Sequence, residues 1–572
     1  DSGYGLGWNL QLSQYDTATQ VISAHSGGSF RRTGSDGSRV LMREQKIDDF
    51  RLFDEGGGIY RLVHRSGLVE RLSKHPGSDL ALPVEVYGDK GHLLKLEYVT
   101  FTGNDNKIHP RLALIKDHAD KVVLQIDRQN DSLDIHLNPN DGGNAKATYR
   151  LRLDSLKRVT SVVLPTTDQA SWRYDYQEIE KLHCIKEVHT PTGAHELITH
   201  SVIAADHHRV PEQAGGGFLP RVLQHVIKPS SGQHDTLTVV YAYALSKGAG
   251  YRAGNNFLGA NLSHNKPDYG LDYLFSSVGT YAYGSTETRT KQGEEHKVER
   301  EYNRFHLLVR EETTHTDTRT QVISTELTET EYYSNGGYFH EDHAYCQLPG
   351  ITTRTWKRNS GMPYLEGDIR QYETDGNLRS EAQVHGDPRI GTPVLGLTTA
   401  YQWHATGGEG ADPRDPNFFT PRLKRTARIP DPTAANKDAP TLYQHYSYEK
   451  ADALPGNGPK SWHRVTREVL SLSENLSADG LQATEYRYFD TPSQAQTHGR
   501  VETQTVTLNG KATVTSYCYD CEEAPGKRVT APAELPAHVK ALQGRVTPLR
   551  RTLLANEPVL TTFQTVTGWD HK

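Results

Sequence analysis

The chain has 572 residues with a formal net charge of −6, 35% hydrophobic residues and a mean hydropathy of −0.68. Near-neutral charge gives no clustered basic face for nucleic acid, and no window approaches the ~18 consecutive apolar residues of a membrane-spanning helix. A compact globule of this length should hold a richer core, whereas a thin sheet with one apolar and one wet face fits the composition, and 30 tyrosines in regular alternation argue against disorder.

The chain opens Asp1-Ser2-Gly3 without an initiating Met or a charged-then-apolar leader, as a fragment or processed product would. Gly3-Tyr4-Gly5-Leu6-Gly7 has the look of a phosphate loop, but its third glycine comes one residue early and Trp8 takes the expected place. No helix N-terminus is therefore offered to a pyrophosphate. Turn chemistry then recurs at Ser35-Asp36-Gly37, Asp141-Gly142-Gly143, Asp375-Gly376 and Asn509-Gly510, where Asp-Gly and Asn-Gly supply the positive φ of tight hairpins. Strand patterns run from Val122 to Ile126, Leu237 to Tyr243, Gln321 to Tyr333 and Val501 to Leu508. The expected fold is an all-β meander of antiparallel hairpins. Its one helix candidate is Ala533 to Leu542. The stretch 405–440, rich in Gly, Asp-Pro and polar residues, reads as a long loop or insertion.

A loose repeat runs through the meander: an aromatic strand, a turn, a Leu or Val, and a second strand closed by Pro or Gly. The clearest copy is Trp172-Arg173-Tyr174-Asp175-Tyr176, then Leu182, Ile185 and Val188, then Pro191-Thr192-Gly193. Trp172, Tyr174 and Tyr176 share one face by period-two alternation. A second copy runs from Tyr372 through Asp375-Gly376-Asn377-Leu378 to Gly386. A third runs from Tyr486 and Tyr488-Phe489-Asp490 through Gly499-Arg500-Val501 to Gly510. Degenerate copies lie at Tyr149 to Pro165 and Tyr302 to Glu311. Such repeats bury their apolar faces on neighbours, so function is sought in the surface they build.

Chemical motifs are few. His340-Glu341-Asp342-His343 lacks the spacing that sets two histidines on one helical turn, and Asp206-His207-His208 precedes a Gly-rich loop; with 28 histidines, both read as solvated loops. Cys184 and Cys346 stand alone, and Cys518 with Cys521 has neither the second ligand pair of a zinc site nor the βαβ setting of a redox site. No nucleophile elbow, S-x-x-K or P-loop is present, and no carboxylate pair is identified across a cleft. No catalytic, cofactor-binding or metal-ligating residue is assigned, and neither turnover nor a cofactor is expected. Tyr332-Tyr333, or Tyr281 with Tyr283, can stack on sugars, but such rings more often hold sheets together as cross-strand pairs.

The repeats, with the opening Gly5-Leu6-Gly7-Trp8-Asn9-Leu10, resemble the Rhs/YD-repeat family, which includes Rhs polymorphic toxins, the B and C subunits of Tc toxin complexes and, more distantly, the teneurins. The resemblance implies a long antiparallel ribbon of hairpins spiralling into the wall of a hollow, cocoon-like shell. Residues 1–572 would be the N-terminal portion of that shell as one continuous array, interrupted by 405–440. The implied partners are the rest of the shell, an encapsulated C-terminal effector, and a type VI spike or Tc-type channel for delivery. The implied setting is a secreted or injected bacterial toxin assembled in the producer's cytoplasm. The family's aspartyl self-protease has no match here, so no catalytic residue carries over. The alternative is an extracellular adhesion or carbohydrate-binding array.

Overall fold

The computed structural model describes residues 3–518 apart from 44, 104–105, 141–144, 146, 213–214, 231–235, 244–250, 263–271, 292, 405–421, 436, 477–479 and 496. Beyond 518 it describes the backbone of short strands at 522–524, 527–528, 549–554 and 560–563. The fold is all-β, and no α-helix occurs among the described residues. The helix candidate at 533–542 and the turn at 141–143 lie outside them. The chain divides into two compact units, one of Asp1–Leu62, Glu70–Val86 and Leu94–Leu395, the other of Val63–Val69, Tyr87–Leu93 and Gly396–Lys572.

In the first unit, strand Gln14–Asp16 pairs with Val21–Ser23 and, through Tyr15 and Asp16, with Ala81 and Leu80. Tyr15 and Ile22 of these strands are buried in one cluster with Phe50, Leu52 and Leu72 of the strands Phe50–Gly56 and Val69–Lys74. From Leu93–Thr102 to Leu378–His385, long strands then pair antiparallel in a meander. Val122–Arg128, Leu237–Ala242 and Val322–Tyr332 are the strands the alternation predicts. The core is a set of separate clusters. Tyr4, Leu96, Leu112, Ile126, Leu133, Leu151 and Val159 form one, and Phe305, Phe339 and Cys346 another. Small apolar clusters along a ladder are how a chain this polar can fold without a single large core.

In the second unit, strands from Val394–Trp403 to Lys511–Cys518 pair in the same way, continuing to Leu549–Leu554 and Leu560–Phe563. The segment 405–440 is not one loop. It contains the strand Leu423–Ile429, paired on both sides. Its alternation is hidden by Lys424, Arg425 and Arg428, and only Ala427 is buried. Cross-strand pairing holds it in the sheet.

Two local devices recur. The first is a five-residue turn in which the first N–H donates to the fifth carbonyl: Asp117 to Lys121, Asp154 to Arg158, Thr190 to Ala194, Asn303 to Leu307 and Glu373 to Asn377, all at 2.8–3.0 Å. The fourth residue is left-handed, with φ of 59° at Asp120, 63° at Lys157, 58° at His306 and 84° at Gly376, the geometry of a type I turn with a bulge. Asp or Asn suits the first position because its side chain caps the turn. Asp154 Oδ1 accepts from the N–H groups of Leu156 and Arg158, and Asn303 Oδ1 from those of Phe305 and Leu307.

The second device is a β-bulge opposite the residue before each aromatic position. Tyr302 faces Leu308, Tyr332 faces Pro349, Tyr372 faces Leu378, Tyr448 faces Val465 and Tyr488 faces Val501. Each time one residue of the partner strand is left without an opposite number. Bulges increase local twist, and here they do so at one regular place per repeat.

Candidate functional site

Since the sequence points to no catalytic cluster, the candidate functional feature is the repeat itself and what its aromatic residue does. The tyrosine hydroxyl donates to a backbone carbonyl of the preceding strand. Tyr332 reaches Leu308 O at 3.0 Å, Tyr372 reaches Pro349 O at 3.0 Å, Tyr448 reaches Leu423 O at 2.7 Å and Tyr488 reaches Val465 O at 2.7 Å. Tyr176 does the same to Val159, and Tyr243 to Val222. These clasps interlock. Pro349 faces one clasping ring, Tyr332, and its carbonyl accepts from the next, Tyr372. In the second unit Val465 is shared in the same way by Tyr448 and Tyr488. Two of the acceptors fall inside copies of the sequence repeat: Val159 in the copy Tyr149 to Pro165, and Leu308 in the copy Tyr302 to Glu311. Burial pushes the Tyr448 and Tyr488 phenols up to about 12, which keeps them as donors.

The opening motif packs on the same sheet. Leu6 N donates to Lys157 O at 2.7 Å, and Trp8 packs edge-on against Tyr174 at 5.6 Å. A Cβ on Gly5, at φ 104°, would stand 2.7 Å from Val159 Cγ2. These glycines are packing and turn residues, as the misplaced third glycine indicates. Beside them lies a cleft of about 520 Å³ lined by Gly3, Phe101, Arg111, Arg128 and Lys157 among others. Burial lowers the pKa of both arginines, and Arg128 donates to the Gly3 and Leu112 carbonyls.

The histidine motifs resolve into separate contacts. His207 bonds the Ser201 carbonyl through Nε2. His208 accepts from Arg221 at Nδ1, lies edge-on to Tyr243 and Phe257, and is pushed down to about 4 by burial and the neighbouring Arg221. His340 and Glu341 are exposed, His343 stacks on Tyr345, and Asp342 accepts from Ser334 and the N–H groups of Asn335 and His343. Neither motif gathers its ligands.

A histidine cluster the sequence reading did not single out lies elsewhere. His189 and His195 face one another across a hairpin, with rings parallel within 3° and 4.3 Å apart. Glu187 Oε2 stands 3.3 Å from His195 Nε2 and 3.9 Å from His189 Nε2. Cys346 is buried and its thiol is pushed up to about 11 by that burial, while the side chains of Cys518 and Cys521 lie outside the described residues.

The tyrosines considered as sugar platforms are engaged in the sheet. Tyr281 is buried, donating to Ala260 O and receiving the Asn256 N–H. Tyr283 stacks on Tyr302 at 5.2 Å, and Tyr333 packs against Tyr345 and Tyr372 while bonding the Arg370 carbonyl. No described helix is long and apolar enough to cross a membrane.

No protein-family model matches the chain, and no curated protein matches it. Among solved structures it is similar to a chain of the crystal structure of TcdB2-TccC3, with 9% identity and a TM-score of 0.24 over 98% of this chain and 45% of that one. It is similar also to a chain of the Tc holotoxin pore of Photorhabdus luminescens, with 9% identity and a TM-score of 0.24 over 97% and 43%. The chain spans less than half the length of those chains. At this level of likeness nothing about its activity follows from them.

Proposed function

We propose that this chain is a structural and delivery component: part of the wall of an Rhs-type shell that encloses a toxic effector before translocation. The observation that carries the reading is the interlocking clasp. A hairpin tied to its predecessor and presenting a carbonyl to its successor suits a wall extended by repetition. The small, separate clusters fit it too, because a wall has two partly wet faces and no deep interior. In this reading residues 1–572 form one continuous array, the chain has no turnover and no cofactor of its own, and its partners are the rest of the shell, the enclosed effector and a type VI spike or Tc-type channel. Enclosure keeps a toxic domain from acting on its producer.

The test is single-particle electron microscopy of this chain and of any longer protein that contains it, with limited proteolysis of the latter. A curved multi-turn wall around internal density, with the enclosed segment protected until the wall is cut, is the expected result. A compact particle with an open cleft would overturn the proposal and send the work to glycan-binding and hydrolysis assays.

A further inference from the structure

We propose that Glu187, His189 and His195 bind a divalent transition-metal ion, zinc or its neighbours copper and nickel, on the hairpin of Leu182–His189 and His195–His200. This goes beyond the shell reading and does not depend on it.

The geometry is set by the sheet. Glu187 and His189 are two residues apart on one strand and so project from the same face. His195 lies directly opposite His189, and the five-residue turn from Thr190 to Ala194 fixes that register. Because Thr190 N bonds Ala194 O, the next pair outward, His189 with His195, is the close, non-hydrogen-bonded kind. Its two imidazoles stack with both Nε2 atoms at one carboxylate oxygen.

The donor distances fit one ion, which the two parallel rings reach when one of them turns so that both Nε2 lone pairs converge. Donors held about 2.1 Å from a tetrahedral ion stand about 3.4 Å apart. Here the carboxylate oxygen is 3.3 and 3.9 Å from the two nitrogens, and all three donors lie within 4.8 Å of one another. Two imidazoles and one carboxylate suit borderline ions and leave the fourth position to water. The site is half exposed, so an ion can enter. Arg173 and Lys228 lie in register beside His189 and His195 and moderate the affinity by repulsion. An ion here would staple the two strands between Glu187 and His195.

The rival explanation is that one carboxylate simply accepts two imidazole N–H bonds. Titration of the purified chain with Co²⁺ separates the two, since a tetrahedral cobalt complex absorbs visibly and zinc displaces it. The expected result is one visibly absorbing Co²⁺ per chain, lost in His195→Gln and bound at least about 10-fold more weakly in Glu187→Gln, since loss of a direct ligand costs no less than loss of a partner hydrogen-bonded to one. His225→Gln, which removes a histidine bonded to Glu196 at 2.9 Å without a second imidazole, should leave the band unchanged. Far-UV circular dichroism checks each variant, and if His195→Gln does not fold, Glu187→Gln decides. No visible band, or a band of unchanged affinity in the folded variants, overturns the proposal.

Discussion

Tyr372→Phe is the sharpest test of the clasp. It removes one hydroxyl and nothing else, so the ring keeps its packing against Tyr333 and Tyr345. What is lost is the 3.0 Å bond to the Pro349 carbonyl. A hydrogen bond of this kind contributes about 0.5–1.5 kcal/mol net, and a buried acceptor left unpaired costs about 1–3 kcal/mol. Tyr372 and Pro349 are both only half-buried, so water can reach the carbonyl and the lower figure applies: about 1 kcal/mol, or roughly fivefold more frequent opening. The control lies on the same strand. Tyr364 bonds Glu366 at 2.9 Å but is 61% exposed, and Tyr364→Phe should change stability by less than about 0.5 kcal/mol. Hydrogen exchange read peptide by peptide suits a chain of two units, where one global unfolding energy is poorly defined. Tyr372→Phe should accelerate exchange in Pro349–Arg358 and Tyr364–Tyr372, while Tyr364→Phe leaves it near wild type. Equal exchange in the two variants would refute the clasp as a stabilising element.

Other outcomes follow from the same geometry. Gly376 has φ 84°, and a Cβ there would meet Ile47 Cδ1 at 2.9 Å; Gly376→Ala should cost about 1–2 kcal/mol, more than Gly386→Ala, where φ is 79° and the space is open, as urea melts of the two would show. His25 donates through Nδ1 to buried Glu70 Oε1 at 2.8 Å, and that bond raises its pKa above 6.5 against the opposing effect of burial. A raised folded value means the contribution is complete below the unfolded pKa and lost as pH rises through the folded one, so the first unit should melt lower at about pH 8 than at about pH 6, and Glu70→Gln should flatten that difference. Tyr448 and Tyr488, raised by burial from 10 to about 12, contribute stability that is complete below pH 10 and lost as pH climbs to about 12; phenolate absorbance of Tyr488→Phe should lack one late-titrating group. Cys346 should resist thiol reagents until the chain unfolds, as mass spectrometry of labelled peptides would register.

The strands and hairpins were legible because alternation and Asp-Gly or Asn-Gly turns are local signals. Val501–Leu508 and its Asn509-Gly510 turn, with φ of 49° and 73°, needed nothing from elsewhere in the chain. Leu423–Ile429 was hidden because basic side chains interrupt its apolar pattern, and its place is set by its two neighbours. The clasp was visible only as half of itself. The aromatic residue and the following Leu or Val stand out in the repeat, but the bond joins each ring to a carbonyl 23 to 25 residues earlier for Tyr332, Tyr372, Tyr448 and Tyr488. Backbone carbonyls carry no sequence signature. Glu187, His189 and His195 escaped notice for a related reason, since a cross-strand cluster is defined by the turn between its members and matches no helical metal motif.

These four clasps run backwards along the chain, and that sets an order of events. Tyr332 takes hold of Leu308, Tyr372 of Pro349, Tyr448 of Leu423 and Tyr488 of Val465, the acceptor in each case preceding the donor. A ribosome delivers residues in that same direction. Each hairpin can therefore be locked as soon as its own tyrosine emerges, using only polypeptide already made, and the edge left waiting is the one the next residues are about to cover.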